Sequence, residues 1–371
     1  MNEASRVEAV MISLKASIFV VWCVWTASAF RRPYEHSFQY PDTEEPVGEP
    51  LFLTPLIEAG RIDYARAQSV VPSLKGQVQS YAGYFTVNKA YNSNMFFWFF
   101  PAEKNFDEAP VVLWLQGGPG SSSLYGLFAE NGPYSIHRKK LRLRTYSWTK
   151  EHSVLYIDNP VGTGYSFTND EKGYVRTQEE VGRDVYNALT QFFTLFPELK
   201  RNDFFVTGES YGGKYVPAVS YTIHKMNPKT TMKINLKGIA IGNGLSDPEN
   251  QLAYGDYLYQ LGLVDTLYRK KFQDKENEIR EMIRKKEWKN ASIGFTELID
   301  SDPNMTPPSL FEEATGLTSY FNYIQGVDVD DGLNDMVQQA RVRKSIHVGN
   351  STWNDGAKVQ VLQINLFTHL R

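Results

Sequence analysis

Cysteine is nearly absent: the 371 residues hold one, Cys23. One thiol cannot close a disulfide within the chain, so stability has to come from packing. A surplus of charge of one sign is missing too. The 39 Lys and Arg and the 42 Asp and Glu are interspersed and leave a net charge of −3, which calls for neither nucleic acid nor an anionic membrane surface as partner. No internal period or low-complexity tract is present, which excludes repeat and collagen-like architectures. What is abundant is apolar surface. At 42% hydrophobic and 14% aromatic residues, the chain can build a large core, as one domain with an insertion or as two domains.

The longest apolar run lies at the N-terminus. Lys15 precedes residues 16–25, which lead into Ala27-Ser28-Ala29 and the basic pair Arg31-Arg32. A short apolar stretch before an A-x-A site reads as a secretory signal peptide over residues 1–29, cleaved after Ala29; the alternative is an uncleaved anchor. Met11 is a candidate start that would shorten the leader. Cys23 falls inside the leader, so the mature chain would contain no cysteine and no further membrane span. Three N-glycosylation sequons, at Asn290, Asn304 and Asn350, fit the same route. The expected location is extracellular or lysosomal.

Downstream, a polar lead-in occupies residues 30–50. Residues 81–87 and 95–100 flank an Asn/Ser/Lys-rich connection and predict a hairpin. Val111-Val112-Leu113-Trp114-Leu115 and Val154-Leu155-Tyr156-Ile157 are continuous apolar runs, as in strands buried on both faces. Thr177 with Glu180 makes a capping box for a helix whose apolar residues, from Val181 to Phe196, recur at helical spacing. A strand, Phe204-Phe205-Val206, then runs into Gly208-Glu209-Ser210-Tyr211-Gly212 and a second helix reaching about Met226. Ile239-Ala240-Ile241 reads as one more buried strand. Strand and helix alternate, which predicts an α/β core over residues 30–250 with a mostly parallel sheet. Residues 269–289 are densely charged with an apolar stripe and read as one amphipathic surface helix. Residues 290–335 read as short segments and acidic loops. Residues 251–343 are expected to form a helical cap insertion, and 344–371 a partial return to the core with a divergent tail.

The segment Gly208-Glu209-Ser210-Tyr211-Gly212 fits G-x-S-x-G, in which a serine on a sharp strand-to-helix turn projects its hydroxyl above the sheet. Its context, an apolar strand before and a helix after, marks Ser210 as a candidate nucleophile rather than a buried structural serine. The helix start also favours developing negative charge. Acyl transfer needs oxyanion donors: the amide of Tyr211 is one, and a Gly-rich loop after an earlier strand supplies the other. Gln116-Gly117-Gly118-Pro119-Gly120 follows such a strand; a plain tight turn is the alternative.

Four strings in order, Leu115-Gln116-Gly117-Gly118-Pro119-Gly120-Ser121-Ser122, Glu130-Asn131-Gly132-Pro133, Asp158-Asn159-Pro160-Val161-Gly162-Thr163-Gly164-Tyr165-Ser166 and Gly208-Glu209-Ser210-Tyr211-Gly212-Gly213-Lys214-Tyr215-Val216-Pro217, resemble the serine carboxypeptidase family. Within it, Pro50-Leu51-Phe52-Leu53-Thr54-Pro55 and residues 91–100 look like the vitellogenic-like members of animals. The resemblance spans roughly residues 50–357. It implies an α/β-hydrolase fold with a helical cap and removal of C-terminal residues from peptides, with no cofactor and no metal. Carried over by position, Ser210 is the nucleophile and Gly118 and Tyr211 supply the oxyanion amides. Trp114, Gln116, Gly117, Glu130 and Glu209 bind the free C-terminal carboxylate of the peptide substrate. Carboxyls can donate to a carboxylate only when protonated, so binding is expected to favour acid pH.

Three departures accompany the resemblance. Gln116 stands where many members carry Asn, and Ser122 where many carry Cys, so bracing disulfides are absent and a looser cap is expected. The third concerns the triad, which in this fold runs Ser, then Asp or Glu, then His. After about Lys358 the resemblance dissolves, and neither late motif is found: the Asp after an apolar strand, or the Gly-rich loop with the His. His224 reads as a surface or packing residue, His347 lies in a shared but non-catalytic segment, and His369 stands third from the end. The tail reads as a frameshift, an alternative exon or an incomplete gene model, and its loss is expected to expose apolar sheet edges. The expectation is therefore a serine carboxypeptidase by descent whose activity in this form is open. The alternatives are a catalytically dead pocket-bearing binding or regulatory protein, or an acyltransferase or esterase on the same fold.

Overall fold

Two short helices, α1 (Thr54–Glu58) and α2 (Ile62–Gln68), precede the predicted hairpin, which forms as β1 (Tyr81–Asn88) and β2 (Ser93–Phe100). The two strands pair antiparallel, Tyr84 opposite Phe96 and Phe85 opposite Met95. In this computed structural model the described residues are 46–299, 307–317, 319–321 and 332–355. The chain divides into two units, residues 1–42 and 43–371, and all described residues belong to the second. The expected leader, Asn304 and His369 lie outside the described residues.

The apolar runs form the sheet as their patterning requires. β3 (Val111–Leu115) and β6 (Ser153–Ile157) are buried along their whole length. Between them β4 (Tyr134–His137) and β5 (Lys140–Leu143) make a separate hairpin, and β7 (Thr163–Gly164) follows β6. With β8 (Phe204–Glu209) and β9 (Leu236–Gly242) the six-stranded order is β1-β2-β6-β3-β8-β9. The β2–β6 pair is antiparallel, whereas β6–β3, β3–β8 and β8–β9 are parallel. The result is the α/β-hydrolase type of mostly parallel sheet, with carboxyl ends of β3, β6 and β8 gathered on one edge.

Helix α3 (Gln178–Leu195) starts at Thr177, and both bonds of the capping box form. Its apolar stripe meets the sheet through rings: Phe192 lies 4.9 Å from Phe99 and Phe196 4.8 Å from it, while Phe85 stacks on Phe97 at 4.3 Å. Each buried ring contributes on the order of 2–3 kcal/mol of transfer free energy. Helix α4 (Gly212–Met226) packs on α3, β8 and β9, and α5 (Pro248–Gln251) begins the last part of the described chain.

Two expectations need correction here. The strand containing Ile239 is present but not buried: Ile239 is 49% exposed, and Ala240 and Gly242 are exposed as well. Nothing among the described residues packs beyond β9, so its apolar pattern meets solvent. The charged segment is also two helices, not one. After α6 (Tyr254–Gln260), α7 (Thr266–Arg284) ends in a turn at Lys286, whose φ is 62°, and α8 (Trp288–Ile299) restarts and runs into the stretch read as short segments and acidic loops. Phe272, Ile279 and Ile283 of α7 and Leu298 of α8 join the main core. A left-handed residue breaks a helix without any Gly or Pro signal, which is why the break was not visible.

Replacing Phe192 with alanine should cost about 3–5 kcal/mol of stability, since the ring is fully buried among Phe99, Phe193 and Phe196. A urea titration of the variant against the parent chain measures this, and a loss under about 1 kcal/mol would mean the ring cluster is not the core's centre.

Candidate active site

Ser210 sits between β8 and α4 with φ +56°, a left-handed conformation that a non-glycine residue adopts only when held. It is held by backbone bonds: Ser210 N–H donates to the Gly242 carbonyl at 2.9 Å, and its own carbonyl accepts from Gly213 and Leu245, both at 2.9 Å. A Cβ at Gly208 would lie 2.4 Å from the Leu115 carbonyl oxygen, so only glycine lets β8 approach β3 at the elbow. Lys214, one turn into α4, is buried and reaches the Ser246 carbonyl at 2.9 Å; burial lowers its pKa to about 8, against the pull of Asp247.

The Gly-rich loop after β3 lies directly against this elbow. A Cβ added to Gly117 would fall 2.6 Å from the Tyr211 amide nitrogen and 2.8 Å from Ser210 Cβ. The Gly117-Gly118 backbone and the start of α4 therefore face each other across the serine. Tyr211 is buried, and its hydroxyl accepts a bond from Gln178 Nε2 at 3.1 Å.

Beside the serine, the side chains of Trp114, Gln116, Glu130 and Glu209 converge. Trp114 Nε1 donates to Gln116 Oε1 at 2.9 Å. Indole nitrogen can only donate, which fixes the orientation of the amide. Gln116 Nε2 then donates to Glu209 Oε2 at 2.8 Å and Glu130 Oε1 at 3.1 Å. Glu209 is the last residue of β8, and Glu130 closes a one-turn π-helix, Gly126–Glu130, a wound turn of the kind found at functional sites. Burial first, and then the hydrogen bond and charge of Glu209, push Glu130 up to about 8, against smaller opposing effects of Gln116 and Arg144. Arg144 braces the same turn by donating to the carbonyls of Gly132 and Phe128, at 3.0 and 2.7 Å. Trp148 packs edge-on to Trp114 at 5.5 Å.

One anchor of the site was not foreseen. Asp158, 1% exposed, accepts from Ser122 Oγ at 2.5 Å, from the Ser123 amide at 3.1 Å and from the Tyr165 amide at 2.9 Å. It ties the Gly-rich loop to the loop after β6, and burial pushes its pKa up to about 7. Its signal in the sequence was the Asp158-Asn159-Pro160 string at the end of an apolar strand, which by itself marks only a turn.

Of the expected residues, the structure brings together Ser210, Tyr211, Gly117, Gly118, Trp114, Gln116, Glu130 and Glu209. The described histidines stand apart. His224 is exposed on α4, and His347 bonds the Val70 carbonyl at 3.0 Å, on the β1 side of the sheet. None of the four described histidines, His137, His152, His224 and His347, hydrogen-bonds to Ser210. Asn290 and Asn350 are both exposed.

A serine on a strand-to-helix elbow at the carboxyl edge of such a sheet defines an α/β hydrolase. The family model described as serine carboxypeptidase matches residues 72–365. The venom serine carboxypeptidase of Apis mellifera is 58% identical over 315 residues, covering 84% of this chain and 67% of that protein. The vitellogenic carboxypeptidase of Aedes aegypti is 47% identical over 83% of this chain and 66% of that protein. Among solved structures, KEX1(DELTA)P, a prohormone-processing carboxypeptidase from Saccharomyces cerevisiae, superposes with a TM-score of 0.60 at 23% identity, covering 80% of this chain and 69% of that one; that likeness speaks to the fold. The chain belongs to the serine carboxypeptidase family, a family of hydrolases.

Replacing Ser122 with alanine removes the shortest donor to Asp158 and should cost about 1.5–3 kcal/mol, the range for a bond to a charged group. Ser122 lowers the pKa of Asp158 by stabilising its ionised form, so the loss should be larger at pH 8 than at pH 5. Urea titrations at the two pH values decide it, and an equal loss at both would mean that Asp158 does not change charge between them.

Proposed function

We propose that the cluster beside Ser210 binds the free C-terminal carboxylate of a peptide and sets its last peptide bond over the serine hydroxyl. Trp114, Gln116, Gly117, Glu130 and Glu209 are the carboxylate-binding residues. Ser210 is the nucleophile, and the amides of Gly118 and Tyr211 receive the oxyanion. In the reaction Ser210 Oγ adds to the carbonyl carbon, the C–N bond breaks, and the C-terminal residue leaves with a proton on its nitrogen. Water then opens the acyl-enzyme. The observation that carries this reading is the Gln116 amide shared between Glu130 and Glu209 one residue from Ser210. An ester- or acyl-transfer site has no need of two carboxyls aimed at a third.

The pH dependence follows from Glu130. With its pKa raised from 4.5 to about 8, it is neutral and able to donate a proton below that pH. Above it, the ionised group repels the substrate carboxylate. Affinity for an N-blocked dipeptide should be flat from about pH 5, where the peptide carboxylate is ionised, to about pH 7, and fall by up to about tenfold per unit above pH 8. In Glu130→Gln that fall should vanish while binding at pH 6 is largely kept. Calorimetry across the pH range tests it, and a fall that survives Glu130→Gln would assign the titration elsewhere.

Serine attack also needs a base to take the hydroxyl proton. The absence of a bond from any described histidine to Ser210 favours a second reading: a pocket that binds peptide C-termini without turnover. Hydrolysis of an N-blocked dipeptide by the 371-residue chain at acid pH, with Ser210→Ala as control, separates the two. Turnover abolished by the alanine supports the enzyme, whereas binding without turnover supports the pocket.

We further infer passage through the secretory pathway, supported by the exposure of Asn290 and Asn350. Among the described residues no helix is long and apolar enough to cross a membrane. Chain made in animal cells should lose mass on endoglycosidase treatment, and Asn350→Gln should remove part of that loss. An unchanged mass would place the chain outside the pathway.

A further inference from the structure

The charge balance of the whole chain conceals a local imbalance. Between Glu130 and Glu151 the sequence has no acid, and His137-Arg138-Lys139-Lys140-Leu141-Arg142-Leu143-Arg144 carries five Lys and Arg in eight residues. This run is the hairpin of β4 and β5. Its register sets Tyr134 opposite Leu143, Ser135 opposite Arg142, Ile136 opposite Leu141 and His137 opposite Lys140. Residues directly opposite share a face, so Tyr134, Ile136 and Leu141 turn inward and are buried. His137, Lys140 and Arg142 are left on the outer face, and all three are exposed.

The turn adds charge where the backbone resists it. Arg138 and Lys139 join the strands with φ of 48° and 60°. A two-residue turn of this hand favours Asn-Gly, because a Cβ is strained at positive φ. Two long cations there go against local preference, as happens where a surface has a task. Lys139 pairs with Asp335 at 2.7 Å, and Arg144 turns back to brace the carbonyls of Phe128 and Gly132. Arg138, Lys140 and Arg142 make no ion pair or hydrogen bond among the described residues. Beside them the loop 73–76 packs on the hairpin, where a Cβ on Gly76 would meet Leu143 at 2.8 Å. That loop carries a further exposed cation, Lys75. A basic face without acid partners is at rest in water, since burial would strip the hydration from its charges.

We propose that this hairpin is a docking surface for a linear sulfated polysaccharide. Lys140 and Arg142 follow each other on one face of β5, about 7 Å apart along the strand, and Arg138 extends the row at the tip. A chain of repeated sulfates can engage all of them at once, whereas a small anion meets one or two. Each guanidinium can hold a sulfate by two parallel N–H···O bonds, as it holds a phosphate. Short runs this rich in Lys and Arg suit nucleic acid or heparin-like chains. The choice between polyanions rests on the secretory route inferred above. Nucleic acid and the anionic cytoplasmic leaflet lie outside that route, while sulfated polysaccharides are made and exported along it. None of the three cations belongs to the carboxylate cluster, so polymer and peptide C-terminus are assigned separate sites.

Heparin is the probe. The whole chain has a net charge of −3, so retention at neutral pH has to come from a local patch. On immobilised heparin the 371-residue chain should elute above about 0.15 M NaCl, physiological ionic strength. Its affinity for heparin fragments should fall steeply with salt. Arg138→Asn combined with Lys140→Gln and Arg142→Gln should weaken binding at least about tenfold and make the salt slope shallower by about one unit per cation removed. Asn suits the turn, so circular dichroism and the urea midpoint should hold or improve. Lys225→Gln, Lys229→Gln and Lys285→Gln together remove the same charge from exposed positions on other elements and should leave the affinity unchanged. Elution of the parent below that salt, an equal loss in both triple variants, or phosphatidylserine vesicles bound as tightly as heparin would each overturn the proposal. The deglycosylation experiment tests the secretory route independently, so the two readings fail separately.

Discussion

The side-chain amide of Gln116 has two protons to give and two carboxyls to give them to. Trp114 takes its oxygen, so the amide cannot turn over, and Glu130 and Glu209 are left to share one nitrogen. Two carboxylates held this close repel each other, and burial adds to the cost of charging them. Keeping a proton on Glu130 is the inexpensive solution, and that proton makes the cluster a receptor for a third carboxylate. Each participant comes from a different piece of chain: the end of β3, a π-turn and the end of β8. The fold around the site can be understood as what brings these three ends to one point.

Bringing them together requires the backbone at the seam between β3 and β8 to come closer than side chains permit. The glycines at 117 and 208 leave that space. The strained φ of Ser210 is maintained by bonds to Gly242, Gly213 and Leu245. Asp158 performs the same task from the other side by pulling the loop of Ser122 and Ser123 onto the end of β6. A buried carboxylate usually destabilises a fold unless it is well bonded. Here three donors offset much of that cost. They fix the Gly-rich loop where a disulfide is not available, since the chain's one cysteine is Cys23.

Much of the architecture was legible because local and global signals agree. The hairpin at residues 81–100, the capped helix at Thr177 and the elbow at Ser210 each carry a pattern fixed by backbone geometry. The carboxylate cluster was legible only through the family resemblance. Nothing in the spacing of Gln116, Glu130 and Glu209 predicts that they meet, because the contact is set by strand order and not by sequence distance. Asp158 was missed for a related reason: an acid in a turn reads as solvated unless its donors, on another strand's loop, are known. The break at Lys286 was missed because a lysine can hold a left-handed conformation with no compositional trace.

The misreading of β9 follows from the same limits. Its apolar pattern records what the strand is suited to face, and the inference to burial needs a neighbour that the pattern does not name. β3 and β6, with equally continuous apolar runs, each have a strand on both sides, and their residues are buried throughout. β9 has a strand on one side only among the described residues, and the same kind of sequence lies half in solvent. Yet the carbonyl of Gly242, at its end, accepts the bond from Ser210 N that holds the elbow. The nucleophile's backbone geometry thus rests in part on the end of β9.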